Sequence, residues 1–248
     1  MVSFSINSAF LFPSPKDVLW ELWILISGAS NQGDVISSNF WLITCLSLLR
    51  ILWGILVSIL IGTVLAYITS VSRLLRALLT PALSAIKSTP VASFIILALL
   101  WLDRNVLPVF ITALIVIPII WANVSEGIRR VDKNLLEVAE IYRFSAPKKL
   151  IKLYVPSVAP YFMAACQSSL GMAWKAGIAA EVLSTPDHSI GKELYNAKTY
   201  METPRLFAWT LIVILLSYII EKLLVFALNR LGKRLRILPQ GGAQHVES

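Results

Sequence analysis

The 248-residue chain is 57% hydrophobic and 15% charged, with a formal net charge of +8 and a mean hydropathy of +0.74. Soluble domains carry about 25% charged residues, so this chain has too little polar surface to cover a water-soluble globule. Its Lys and Arg residues gather in loops between apolar runs rather than on one soluble module, which excludes a nucleic-acid binder and marks an all-α protein that crosses a bilayer several times.

Residues 1–40 read as an extracytoplasmic or interfacial segment. Met1 to Leu11 lacks the basic start and long apolar core of a signal peptide. Pro13 and Pro15 form a loop, and the apolar stretch Val18 to Ile26 contains Glu21. That stretch is too short to cross ~30 Å of hydrocarbon, so an interfacial amphipathic helix is expected.

The first clear span covers about residues 47–67. Arg50 lies near its outer end, where a long side chain can snorkel to the headgroups. Gly54, Ser58, Gly62 and Ala66 recur every four residues and lay one stripe of small side chains along a helix, a surface suited to close helix packing. A loop with Arg73, Arg76 and Lys87 follows. Pro81 and Pro90 bracket a segment that cannot continue as one unbroken helix. The apolar run 91–102 is short, so the second span is expected to be bent or discontinuous and to face protein or a translocation path. Asp103-Arg104-Asn105 is a tight polar turn, and a third span is expected over about 106–123.

The largest polar interruption runs over 125–157 and carries Arg129, Arg130, Lys133, Arg143, Lys148, Lys149 and Lys152, which places it in the cytoplasm by the positive-inside rule. A fourth span lies within 158–183, rich in Ala, Ser and Gly and carrying Gln167, Lys175 and Glu181. A polar loop over 184–205 is expected on the far side, then a fifth span over about 206–228 and a basic cytoplasmic tail at 232–248. Five spans with a cytoplasmic C-terminus put the N-terminus outside, which suggests a start shortened relative to a six-span arrangement.

Intramembrane charge is a functional candidate because a central Lys or Asp costs about 2.5–3.5 kcal/mol on insertion scales. Lys175 and Glu181, six residues apart, do not share a helix face. Each is expected to meet a partner on another span, near a helix end, or in a wet cavity, and Lys175 can favour an anionic solute. Cys45 and Cys166 are isolated, His188 and His245 lie far apart, and no P-loop or zinc motif is present, so no metal site and no covalent chemistry are expected on this chain.

Residues 137–156, EVAEIYRFSAPKKLIKLYVP, carry function by their pattern. Leu135, Leu136, Val138, Ala139 and Tyr142 are apolar positions at helical spacing within a charged loop. Pro147 suits the first turn of a second short helix, with Leu150, Ile151 and Leu153 apolar and Lys148, Lys149 and Lys152 basic. A surface helix–turn–helix of this kind can lie on lipid headgroups or seat in a protein partner.

The same residues resemble the EAA loop of ABC importer permeases. Glu137 and Ala139 match its opening, and Leu153, Val155 and Pro156 its close; Val138 stands for Ala and Arg143 for the usual Gly. Arginine there disfavours φ > 0, so a turn of different geometry is expected. Lys87-Ser88-Thr89-Pro90-Val91-Ala92 and Ala173-Trp174-Lys175, with Ala179-Ala180-Glu181, are similar to permeases of the nitrate, sulfonate and taurine group, some of which carry pyrimidine-type thiamine precursors. The resemblance implies a type I importer transmembrane domain over 41–231. It also implies a paired pore, an ABC ATPase dimer holding ATP and Mg, and an extracytoplasmic solute-binding protein. Glu137, Ala139, Arg143, Pro147, Leu150, Leu153 and Pro156 would couple to the ATPase, and Gln167, Lys175 and Glu181 would border the path. A secondary transporter needing no ATPase is the alternative; it calls for inverted repeats and acidic residues within spans, and the chain has no visible repeat and few such acids.

Overall fold

The computed structural model describes residues 13–28 and 40–234. Most of the readings on the N-terminal segment and the basic tail, and the question of a missing first span, therefore lie outside the described residues. Among those residues the secondary structure is helical throughout. Helix α1 (Pro15–Ser27) opens with a reciprocal Ser14–Asp17 capping box and closes at Gly28, whose φ of 67° is left-handed. Gly tolerates that conformation at no steric cost.

Helix α2 (Phe40–Val71) is the first span. Helices α3 (Arg73–Ser88) and α4 (Val91–Ala98) follow, bent by 101° at their junction. Pro81 is carried within α3, and the break falls at Pro90, the residue that caps α4. The bent second span is thus a sharp corner at one of the two prolines. The Asp103 turn closes as expected, with Asn105 N–H donating to Asp103 Oδ1 at 2.8 Å.

Helix α5 (Leu107–Arg129) carries Pro108 in its first turn and Pro118 inside. It runs past the expected end, so Ser125 to Arg129 belong to the helix rather than to the polar loop. Glu126 explains the extension, because it pairs with Arg129 and Arg130, three and four residues on and so one turn away, a helix-stabilising spacing. Then come α6 (Lys133–Ile141), α7 (Ala146–Lys149) and a π-helical turn (Leu150–Tyr154) that runs directly into α8 (Val155–Ser184). Pro156 lacks an N–H and cannot bond the carbonyl one turn back. The chain uses a wider turn instead, with Val155 N–H bonded to Leu150 O, a recognised way to absorb such a residue.

The expected far-side loop at 184–205 contains a helix, α9 (Ile190–Thr199), capped by Ser189 Oγ. Its buried residues Ile190, Gly191, Glu193 and Ala197 face α8 and α10 (Thr203–Arg234). The charged composition hid this amphipathic turn from the sequence reading.

By length and apolarity α2, α5 and the 203–228 part of α10 qualify as spans, with the bent α3–α4 pair as a fourth. The fourth span of the sequence reading falls on α8, which has the length, 30 residues, but not the hydropathy. Its location explains the difference. Helices α2 and α8 both pack along α5, and α8 buries Ala165, Ser169, Ala173, Gly177 and Glu181. A helix wrapped by other helices has no need of an apolar lipid-facing surface. Half of the most apolar stretch of α5 is buried against 6% for α10, so α5 is the axis and α10 the flank. Helix α1 rests against α10, and Phe40, the first residue of α2, meets Trp209 of α10 with ring centroids 5.6 Å apart.

Candidate functional site

Three features carry the chemistry: the helix seam, the C-terminal end of α8, and the knob between α5 and α8.

Gly54, Ser58, Gly62 and Ala66 are all buried on one side of α2. A Cβ added at Gly54 would stand 2.8 Å from Thr112 Cβ and 2.9 Å from Val109 O; one at Gly62 would stand 2.8 Å from Ile120 Cβ. From α8, Gly177 approaches the same place, where an added Cβ would meet Ile51 at 2.6 Å and Thr112 Oγ1 at 3.0 Å. Three backbones therefore converge around Thr112. Gly177 was missed from sequence, although Ser169, Ala173, Gly177 and Glu181 repeat every four residues just as the α2 set does.

The last member of that repeat is Glu181, fully buried. Its Oε2 accepts from Ser47 Oγ at 2.8 Å and from Gly191 N–H at 3.2 Å. Ser47 Oγ in turn accepts from Ile190 N–H at 2.9 Å. The carboxylate thus sits at the N-terminus of α9, where free amides and the helix dipole favour negative charge. Gly191 permits the approach, since a Cβ there would fall 2.3 Å from Glu181 Cβ.

Arg50 does not snorkel. Its guanidinium lies 3.6 Å from Glu181 Oε1, with 15% side-chain exposure, and donates to the carbonyls of Asp187 at 2.8 Å and His188 at 3.2 Å and to Asn105 Oδ1 at 3.3 Å. A fork of five N–H donors serves several acceptors at once, and buried acceptors outcompete headgroups for it. The loop it clasps has left-handed residues at Thr185 (φ 46°) and His188 (φ 48°).

Beyond the loop, Lys192 lies 2.8 Å from Asp187 and holds its carboxyl below the usual range. Burial pushes the Glu193 carboxyl up, against the opposing pull of Arg205, 3.2 Å away.

Lys175 occupies the opposite face of α8. It is exposed, on a line with Ala164, Ser168, Met172 and Ala179, which are also exposed. Gln167 is half-buried at the border of that face. The structure thus separates Lys175 from Glu181, one on an open face and the other locked in the core.

The knob begins at Asp132, whose side chain caps α6 by accepting from Asn134 N–H at 2.8 Å. Ala139 is buried and Glu137 exposed. Leu135, Val138, Ile141 and Tyr142 stand 48%, 46%, 77% and 73% exposed, an apolar patch along one side of α6. Arg143 closes the helix with a φ of 48°, its N–H bonded to Glu140 O and the Phe144 N–H to Ala139 O. The turn therefore takes the left-handed conformation despite arginine, correcting the expectation of a different geometry. The two hydrogen bonds, and the Lys148 ammonium 4.3 Å over the Phe144 ring, hold the turn in place. Pro147 and Leu150 line a cavity against α2 and α8; Leu153 is half-buried and Pro156 exposed.

Apolar helices that qualify as membrane spans, with a bent pair among them, mark a multi-pass membrane protein. A family model for the binding-protein-dependent transport system inner membrane component matches residues 54–237, and the chain belongs to that family, the ABC importer permeases. It is 28% identical over 201 residues to the bicarbonate transport system permease protein CmpB of Synechococcus elongatus, covering 78% of this chain and 71% of that one. Identity to the nitrate import permease protein NrtB of the same organism is 26%, over 75% of this chain and 67% of the relative. The putative aliphatic sulfonates transport permease protein SsuC of Bacillus subtilis is 24% identical, over 83% and 71%. In fold the chain is similar to an amino acid ABC transporter solved with histidines, at a TM-score of 0.64 and 14% identity, covering 90% of this chain and 99% of that one.

Proposed function

We propose that this chain is the pore-forming subunit of an ATP-driven importer of a small anion, working as a pair. In this reading a solute-binding protein docks outside, and a cytoplasmic ATPase dimer, which holds the ATP and Mg, docks on the knob. The C-terminus lies on the ATPase side. The observation that carries the reading is the exposed apolar patch Leu135, Val138, Ile141 and Tyr142 on a helix whose turn leads without a break into α8. An apolar patch rimmed by charge wants a protein partner. Because α7, the π-helical turn and α8 are continuous, a displacement of the knob reaches the span as a rigid push. Closure of the ATPase pair then biases the spans between two states.

The solute class follows from the open face of α8. Lys175 lies among small and polar residues there, and an ammonium in such a setting attracts anions. The relatives named for bicarbonate, nitrate and sulfonates support an anion of that size.

The test is reconstitution of the permease with its ATPase and binding protein in proteoliposomes. Ile141→Glu is expected to abolish copurification of the ATPase and solute-stimulated ATP hydrolysis, since a charge at the centre of an apolar contact costs roughly 2–4 kcal/mol, or 30-fold or more in affinity. Lys175→Ala is expected to keep the complex intact and slow anion uptake. Retained ATPase binding in Ile141→Glu would overturn the coupling role, and unchanged uptake of bicarbonate, nitrate and sulfonate in Lys175→Ala the anion role.

A further inference from the structure

A cavity of about 940 Å³ opens between the inner ends of α2 and α8 and the knob. Its size falls within the roughly 300–1,000 Å³ of small-molecule sites, yet its lining is unlike that of a polar solute site. Val64, Val124, Val158 and Phe162 form much of the wall, and Lys149 is the one charged residue on it. We infer that this cavity holds an anionic phospholipid, its acyl chains between α2 and α8 and its phosphate at Lys149.

The single charge of the cavity lies toward one end. Helices α2 and α8 are antiparallel, because Ser47 meets Glu181 at the outer end while residues 63–71 and 154–162 line the cavity at the inner end. From Thr63 to Val71, α2 advances about 12 Å toward the knob, ending at Ser70 and Val71. Over the same distance α8 runs away from Tyr154 to Phe162. One end is therefore bounded by Thr63, Val64, Val158 and Phe162, and the other by Ser70, Val71, Tyr154 and Lys149.

Lys149 supplies the charge at that end. The acidic group nearest Lys149 is Glu140, 3.7 Å from its ammonium and 74% exposed, a weak competitor for a phosphate. An apolar slot between helices with a lysine at one end has the chemistry of an anionic lipid site. Such a lipid would brace the knob against the spans, so the site adds a ligand to the coupling element without depending on how the ATPase docks.

The test is native mass spectrometry of the full-length permease, delipidated in detergent and titrated with dioleoyl phosphatidylglycerol or dioleoyl phosphatidylcholine, which differ only in headgroup. One phosphatidylglycerol per chain is expected, bound at least about fivefold more tightly than phosphatidylcholine, the worth of one basic residue at a lipid surface. Lys149→Ala should erase that preference, and Ala159→Trp should fill the slot and remove both lipids. Val64→Trp fills it from an exposed position and decides the matter should Ala159→Trp elute as aggregate. Equal binding of the two lipids, retained preference in Val64→Trp, or a chain dimer that excludes both lipids overturns the proposal. Each of these readouts is independent of ATP hydrolysis, so failure here is distinct from failure of the coupling role.

Discussion

Arg143 spends conformational energy that glycine would not. A left-handed φ costs an L-residue roughly 1–2 kcal/mol, and at 48° this residue has no side-chain hydrogen bond of its own to offset it. Glycine would relieve the strain but lose about 0.5–1 kcal/mol to the entropy of the unfolded chain. Arg143→Gly is therefore expected to stabilise the protein by up to about 1.5 kcal/mol, read as a rise in melting temperature in detergent with the ATPase still bound. A drop in melting temperature would show that the guanidinium contributes more than its backbone costs. The left-handed turn was not legible in the sequence, because residue type argued against it and the stabilising contacts, Phe144 N–H to Ala139 O and Lys148 over Phe144, are made by neighbours.

At the scale of the helix, the small residues decide distances. The four-residue spacing on α2 was legible because a helix repeats its face with that period. Its counterpart on α8 was hidden by larger neighbours such as Trp174 and Met172, and by the expectation that charge marks the path. Glu181 belongs to that buried repeat, not to the open face. Gly62 tests the seam. A Cβ there would lie 2.8 Å from Ile120 Cβ and 3.1 Å from Ile117 O, and Ile120 is itself fully buried. Neither side can yield without moving a backbone. Gly62→Val is expected to destabilise by about 1–3 kcal/mol and to separate α2 from α5. Trp121 would report that separation by fluorescence, since its Nε1 donates to Thr69 Oγ1 on α2 at 2.9 Å. Shrinking the facing residue in the same chain by Ile120→Ala should restore part of the loss, as expected for two residues in contact.

Across the whole molecule, the two ends of the α2–α5–α8 body are built differently. One end carries an exposed knob and a large cavity; the other is closed by interactions among Ser47, Arg50, Glu181, Ile190 and Gly191. Spans and loops were placed by hydropathy and charge, which record the solvent along the chain. This node joins residues over 130 apart in sequence, and no local pattern announces it; Arg50 even reads as a snorkelling residue. Its energetics follow from burial. Removing one partner of a buried ion pair leaves the other charge uncompensated, at a cost of about 3–5 kcal/mol, whereas removing both charges is often near neutral. Arg50→Met is thus expected to lower the melting temperature sharply and to raise amide exchange across residues 185–191, where the carbonyls of Asp187 and His188 lose their donor. Arg50→Met combined with Glu181→Gln should recover much of the melting temperature, because the neutral amide still accepts from Ser47 and Gly191. Exchange at 185–191 should stay high, since the clasp on the loop is still missing. Recovery of both together would mean that Arg50 acts through the carboxylate alone, and recovery of neither that the loop, not the charge, sets the stability of this end.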